Sequence, residues 1–132
     1  MKKSPDVKEW IKVARKDWRR SLYMLEKNDI EAAGFFLQQS LEKFIKAFLI
    51  AEGCKLRKIH ELDFLLDEAK NYNAMLENFQ DLCERVSGYY FADRYPPLAP
   101  LGLTRGDISK DLNEARAFIK TLFSGERLKV KL

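Results

Sequence analysis

Apolar residues recur every three or four positions along most of this chain, the period of an α-helix rather than of a strand. The densest stretch is AAGFFLQQSLEKFIKAFLIAEG, from Ala32 to Gly53. There Ala33, Phe36, Leu37, Leu41, Phe44, Ala47, Phe48 and Ala51 fall on one face. Phe35, Ile45, Leu49 and Ile50 widen that face well beyond a stripe, so the helix needs cover on several sides and is expected at the centre of a bundle. Its polar residues, Gln38, Gln39, Glu42, Lys43 and Lys46, gather along one narrow strip, the first place to look for a function.

The rest of the pattern gives helices around this one. A first helix is expected to start near Ser4, with Pro5 at its first position and Asp6 at its positive end. Val7, Trp10, Ile11, Ala14, Trp18, Leu22 and Leu25 make its apolar face, and Lys27-Asn28-Asp29 ends it. Asn28 or Asp29 caps the second helix, from about Ile30 to Glu52, which Gly53 terminates. So short a connection makes the two antiparallel neighbours. The small residues Ala32, Ala33 and Gly34 allow close approach of another helix. Leu62, Leu65, Leu66 and Ala69 predict a short third helix, broken by Asn71-Tyr72-Asn73, and a fourth is expected from about Ala74 to Phe91. The prolines of ADRYPPLAPLG exclude a helix there. Thr104 and Asp107 form a capping-box pattern before a fifth helix that turns Ile108, Leu112, Ala115, Ile119 and Leu122 inward and stops at Ser124-Gly125. The tail ERLKVKL either frays or pairs as a strand. The expected fold is all-α, a single-domain, up-and-down bundle of four to five helices over residues 1–132.

Composition changes this picture little. The length of 132 residues suits one core, and no long uncharged apolar run predicts a membrane span. The N-terminus lacks the apolar segment of a signal peptide, so a cytoplasmic protein is expected. Cys54, Cys83 and His60 fall short of the four ligands of a structural zinc site, and no cofactor is expected. Charge is more informative. Residues 2 to 20 hold eight basic residues against three acidic ones, a local excess of five in a chain of net charge +4. Either this is a solvated helix face, or it meets phosphate or an acidic protein.

Three places carry candidate chemistry. His60, the single histidine, stands at the expected start of the third helix. It either caps that helix or, with Arg57 and Lys58, holds a phosphate. Glu42 and Lys46 are spaced as an i,i+4 pair, yet charges on so apolar a helix need partners or a purpose, and Lys43 and Lys46 are candidate anion ligands at a cleft edge. In Arg94-Tyr95-Pro96 the proline biases Tyr95 to an extended backbone, either turning Arg94 outward for recognition or packing Tyr95 as a lid. No glycine-rich phosphate loop, HExxH helix or nucleophile elbow is present.

The run from Gln38 to Leu49, QQSLEKFIKAFL, resembles the central helix of HEPN domains (higher eukaryotes and prokaryotes nucleotide-binding). His60-Glu61-Leu62 is similar to that family's His-x-Leu, and Arg94-Tyr95-Pro96 to its RYP, in the family's order. The resemblance implies a helical bundle, usually homodimeric, that often acts beside a minimal nucleotidyltransferase partner in a toxin–antitoxin pair. Many members are metal-independent ribonucleases with an Arg, then four to six intervening residues, then a His. Here that Arg would stand at 53, 54 or 55, which are Gly53, Cys54 and Lys55. The expectation is therefore a module that binds a nucleotide or RNA phosphate through Lys43, Lys46, Arg57, His60 and Arg94. The alternatives are a ribonuclease toxin using His60 and a purely structural assembly adaptor. Surplus large apolar groups also suggest a dimer interface, with the Ala32-Ala33-Gly34 end as one place for it.

Overall fold

A computed structural model describes residues 5–55, 58–91, 94, 95, 97, 102–125 and 130–132. Five α-helices lie among them: α1 (Pro5–Glu26), α2 (Ile30–Ala51), α3 (Leu62–Ala69), α4 (Gln80–Gly88) and α5 (Arg105–Leu122). Ser4, Arg57, much of the proline-rich connection and residues 126–129 of the tail fall outside the described residues. Among the described residues no helix is long and apolar enough to cross a membrane.

α1 and α2 form an antiparallel hairpin. Ser21 Oγ donates to the Ala33 carbonyl and Ser40 Oγ to the Ala14 carbonyl, both at 2.7 Å, so partners move in opposite directions along the two helices. The turn works because Asn28 takes a left-handed φ of 63° and Asp29 then caps α2, its side chain accepting from Ala32 N at 3.3 Å. At the other end Gly53, with φ of 94°, ends α2 as its position implied. The Arg105 guanidinium donates to the Leu25 carbonyl and ties the start of α5 to the end of α1.

α2 packs against every other α-helix. Leu37, Leu41, Phe44, Ile45 and Ala47 are fully buried, beside Trp18 of α1, Leu65 and Leu66 of α3, Leu82 and Val86 of α4, and Phe118 and Ile119 of α5. The small residues near its start do allow a close approach, but the neighbour is within the chain. A Cβ on Gly34 would meet Ile108 Cδ1 and Tyr89 Cβ and Cγ at 3.3 Å. Gly34 is therefore covered by α5 and by the turn after α4, while Ala33 is buried with its carbonyl bonded to Ser21 of α1.

The stretch expected as one fourth helix is in three pieces: a 3-10 helix (Ala74–Phe79), α4 and a 3-10 turn (Tyr89–Phe91). The Asn73 side chain caps the first piece, accepting from Met75 N at 3.0 Å, and Leu76 N bonds back three residues to the Asn73 carbonyl, the 3-10 pattern. At the start of α5 the expected capping box is complete, with Asp107 N to Thr104 Oγ1 at 3.1 Å and Thr104 N to Asp107 Oδ2 at 2.9 Å.

Candidate functional site

The polar strip of α2 becomes a connected network once α1 and the loop before α3 are laid against it. Glu42 is its centre. The residue is 5% exposed, and burying a carboxylate so deeply requires compensating partners. Glu42 has three. Gln38 Nε2 donates to Oε1 at 3.1 Å, Lys46 Nζ donates to Oε2 at 2.9 Å, and His60 Nδ1 lies 3.0 Å from the same Oε2. Gln38 Nε2 also donates to the His60 carbonyl at 3.1 Å, so the loop is held by backbone as well as side chain. Gln39 Nε2 completes the chain of bonds at Gln38 Oε1, at 2.7 Å.

His60 does not cap α3. Its N-cap is Glu61, without a side-chain bond, and Leu62 N instead donates to Ser87 Oγ at 2.8 Å. The His60 ring turns back to α2. With a carboxylate on Nδ1, the proton sits there in the neutral ring and Nε2 is the nitrogen left for a ligand. The His60 side chain is 59% exposed although its partner Glu42 is buried. The imidazole runs nearly parallel to the Tyr90 ring, at 19° with centroids 6.2 Å apart.

Arg94 comes to the same place from the connection after α4. Its Cζ stands 4.7 Å from the Phe35 ring centroid and 5.9 Å from that of Tyr90. Among the described residues it makes no ion pair, and its side chain is exposed. Tyr90 thus has an exposed imidazole and an exposed guanidinium against one ring.

The two lysines expected as anion ligands have another task. Lys46 is 5% exposed, its Nζ engaged by Glu42 and lying 5.7 Å from the Trp10 ring centroid. Lys43 Nζ pairs with Asp17, itself 2% exposed, and donates to Gln39 Oε1 at 3.3 Å. Asp17 is also paired with Arg20 at 2.8 Å. The ammonium groups neutralise buried acids, which positions Glu42 and hence His60. Arg57 lies outside the described residues. Of the five expected ligands, the geometry brings His60 and Arg94 to one exposed surface and puts Lys46 behind it.

Glu42 is the residue of this network that sequence reasoning placed only in part. Its spacing to Lys46 was visible, but its contact with His60 spans 18 residues and depends on the fold. Tyr90 is half-buried, and its one ring lies against both His60 and Arg94. Chemically, an imidazole oriented by a carboxylate with a guanidinium nearby can bind a phosphate or move a proton beside one. Among the described residues no group of His, Cys, Asp and Glu is arranged to hold a metal ion. A separate depression of about 400 Å³, lined by Cys54, Lys55, Glu68, Asn71 and Tyr72, shares no residue with this network.

Comparison with known proteins agrees with the fold. The crystal structure of TT1696 from Thermus thermophilus superposes with a TM-score of 0.79 at 23% identity, covering 90% of this chain and 97% of that one. No curated protein matches the chain. The HEPN domain model matches residues 7–127, nearly the whole sequence and all three stretches that resembled that family. The chain belongs to the HEPN domain family.

Proposed function

We propose that the chain binds the phosphate of a nucleotide or of RNA between His60 and Arg94, and does so as a homodimer beside a minimal nucleotidyltransferase partner, in a toxin–antitoxin pair. Family membership supports the coarse part of this reading, a helical module of the nucleotide-binding and ribonuclease type. The observation that carries the site is the bond from buried Glu42 to exposed His60, with Arg94 against the same Tyr90 ring. Lys43 and Lys46 hold the acids of the network, and His60 Nε2 and the Arg94 guanidinium meet the ligand. A guanidinium suits this role because its planar fork matches two phosphate oxygens.

Titration calorimetry of the full chain with adenosine monophosphate tests the site. Binding lost in Arg94→Ala supports it, and binding unchanged in both Arg94→Ala and His60→Ala contradicts it. Co-elution with a minimal nucleotidyltransferase encoded beside the gene supports the partnership; a neighbour that elutes separately contradicts it.

The Glu42–His60 bond also favours a second reading, a metal-independent ribonuclease. A carboxylate on Nδ1 fixes the tautomer that lets Nε2 take a proton from a ribose hydroxyl. Arg94 then supplies the guanidinium fork that positions 53 to 55 lack, Lys55 having charge without it. This reading predicts RNA cleavage in EDTA that His60→Ala abolishes, and intact RNA contradicts it.

A further inference from the structure

The outer face of α1 has no role in the site just described. Lys8, Lys12, Arg15, Lys16 and Arg19 are all exposed, and their spacing by three and four puts them on one face. Among the described residues none of the five is in an ion pair. Of the exposed acids of α1, Asp6 and Glu26 stand at its ends and Glu9 lies between Lys8 and Lys12; beyond Glu9 the one acid before Glu26, Asp17, is turned inward to Arg20 and Lys43. The middle of the helix therefore presents positive charge alone. Lys8 with Lys12, Lys12 with Lys16 and Arg15 with Arg19 are like-charged i,i+4 pairs, which oppose the helix they sit on. A bound polyanion relieves that repulsion. From Lys8 to Arg19 the face is about 17 Å long, at a rise of about 1.5 Å per residue, so it suits an extended chain of phosphates better than one.

The face also leads somewhere. Arg20, next along α1, places its Cζ 5.7 Å from the Phe36 ring centroid. Phe36 meets Phe35 edge-on at 5.4 Å, and Arg94 covers Phe35. Phe35, Phe36 and Tyr90 are all half-buried. Cations and aromatic rings thus alternate from α1 to His60, the arrangement that binds backbone and stacks bases in single-stranded nucleic acid. The carboxylates of an acidic polypeptide answer the basic face but put no ring on the phenylalanines, whereas every nucleotide has both a phosphate and a flat base.

We infer that the basic face of α1, continued by Arg20, Phe36 and Phe35, is a track for single-stranded RNA leading to His60 and Arg94. The endpoint rests on the phosphate-binding reading of that site; the track has its own residues. The test is fluorescence anisotropy of the full chain with a labelled oligouridylate of about twelve nucleotides in EDTA, beside calorimetry with uridine monophosphate. Replacing Lys12, Arg15 and Arg19 together by Ala should weaken the oligonucleotide at least tenfold. It should also flatten the slope of log K against log salt by about two, roughly 0.7 per contact, and leave the mononucleotide unchanged. Phe36→Leu, which keeps apolar bulk but removes the ring, should weaken the oligonucleotide at least fivefold.

Oligonucleotide binding and salt slope unchanged in the triple variant overturn the track, while mononucleotide binding lost in Arg94→Ala keeps the site reading alive. The reverse result, a weakened oligonucleotide and no mononucleotide binding at all, supports the track and overturns the site. Polyglutamate binding as tightly as the oligonucleotide, with both indifferent to Phe36→Leu, makes the face a protein-docking surface and overturns the proposal.

Discussion

Glu42 and His60 stand 18 residues apart in sequence and meet through Oε2 and Nδ1 at 3.0 Å, one side chain buried and the other largely exposed. The contact passes order from the packed interior to the surface. α2 is fixed by its neighbours, Glu42 is fixed by Gln38 and Lys46, and His60 is fixed by Glu42. An exposed imidazole on a loop gains a set orientation in this way.

The same dependence makes Glu42 costly to remove. Glu42→Ala leaves the Lys46 ammonium buried without its carboxylate, and a broken buried pair costs about 3–5 kcal/mol. Glu42→Gln keeps an acceptor for Lys46 and should cost less. Urea unfolding measures both, and a loss below about 1 kcal/mol for the alanine variant would show that the network contributes little.

Gly34 tests the close approach at the start of α2. Alanine there gains roughly 1 kcal/mol of helix propensity. Its methyl would lie 3.3 Å from the Tyr89 side chain, and Tyr89 cannot retreat freely because its hydroxyl donates to buried Asp111 at 2.6 Å. Overpacking costs about 1–3 kcal/mol, so Gly34→Ala should be net destabilising by about 1 kcal/mol in thermal unfolding. A stabilised variant would mean that the turn after α4 yields easily.

Thr104→Ala should cost about 1 kcal/mol, because the variant loses the side-chain half of the capping box while Asp107 can still reach the backbone. Thermal unfolding of this variant beside Asp107→Ala separates the two halves.

Alkaline pH should destabilise the fold through Cys83. Burial, helped by Asp63 and Glu84, pushes its thiol from about 9 to about 12. Between those values the unfolded thiol has lost its proton and the folded one retains it. The folded state binds more protons, so stability falls as pH rises from about 9, by up to about 1.4 kcal/mol per pH unit from this group. Tyr89 adds to the same trend at higher pH, raised by burial and by its bond to Asp111. Cys83→Ala should have a flatter melting-temperature profile between pH 9 and 11; an equally steep profile would remove Cys83 as the cause. In native protein at pH 8, a thiol reagent should label Cys54, which is part-exposed, and reach Cys83 only on unfolding.

The fold was largely legible because each signal was local. The apolar period of α2, the glycine at 53 and the Thr104–Asp107 spacing act within a few residues, and all three function as their chemistry suggests. The split of the 74–91 segment was hidden because apolar periodicity marks which residues face inward and does not separate 3-10 from α-helical winding. The arrangement of the candidate site residues was not legible in the sequence. Lys43 looks like a free cation until the fold brings Asp17 from 26 residues away, and the Glu42–Lys46 spacing does not show that both are buried. Arg94, distant in sequence from His60, meets the same Tyr90 ring as His60.

The most direct test follows from there being one histidine in the chain. In protein without a histidine tag, the ring C–H signals in the proton NMR spectrum belong to His60 alone. Titration with adenosine monophosphate should shift them saturably, and Arg94→Ala should abolish the shift at the same concentrations. A His60 signal that stays in place while calorimetry records nucleotide binding would put the ligand elsewhere on the protein and contradict the His60–Arg94 site.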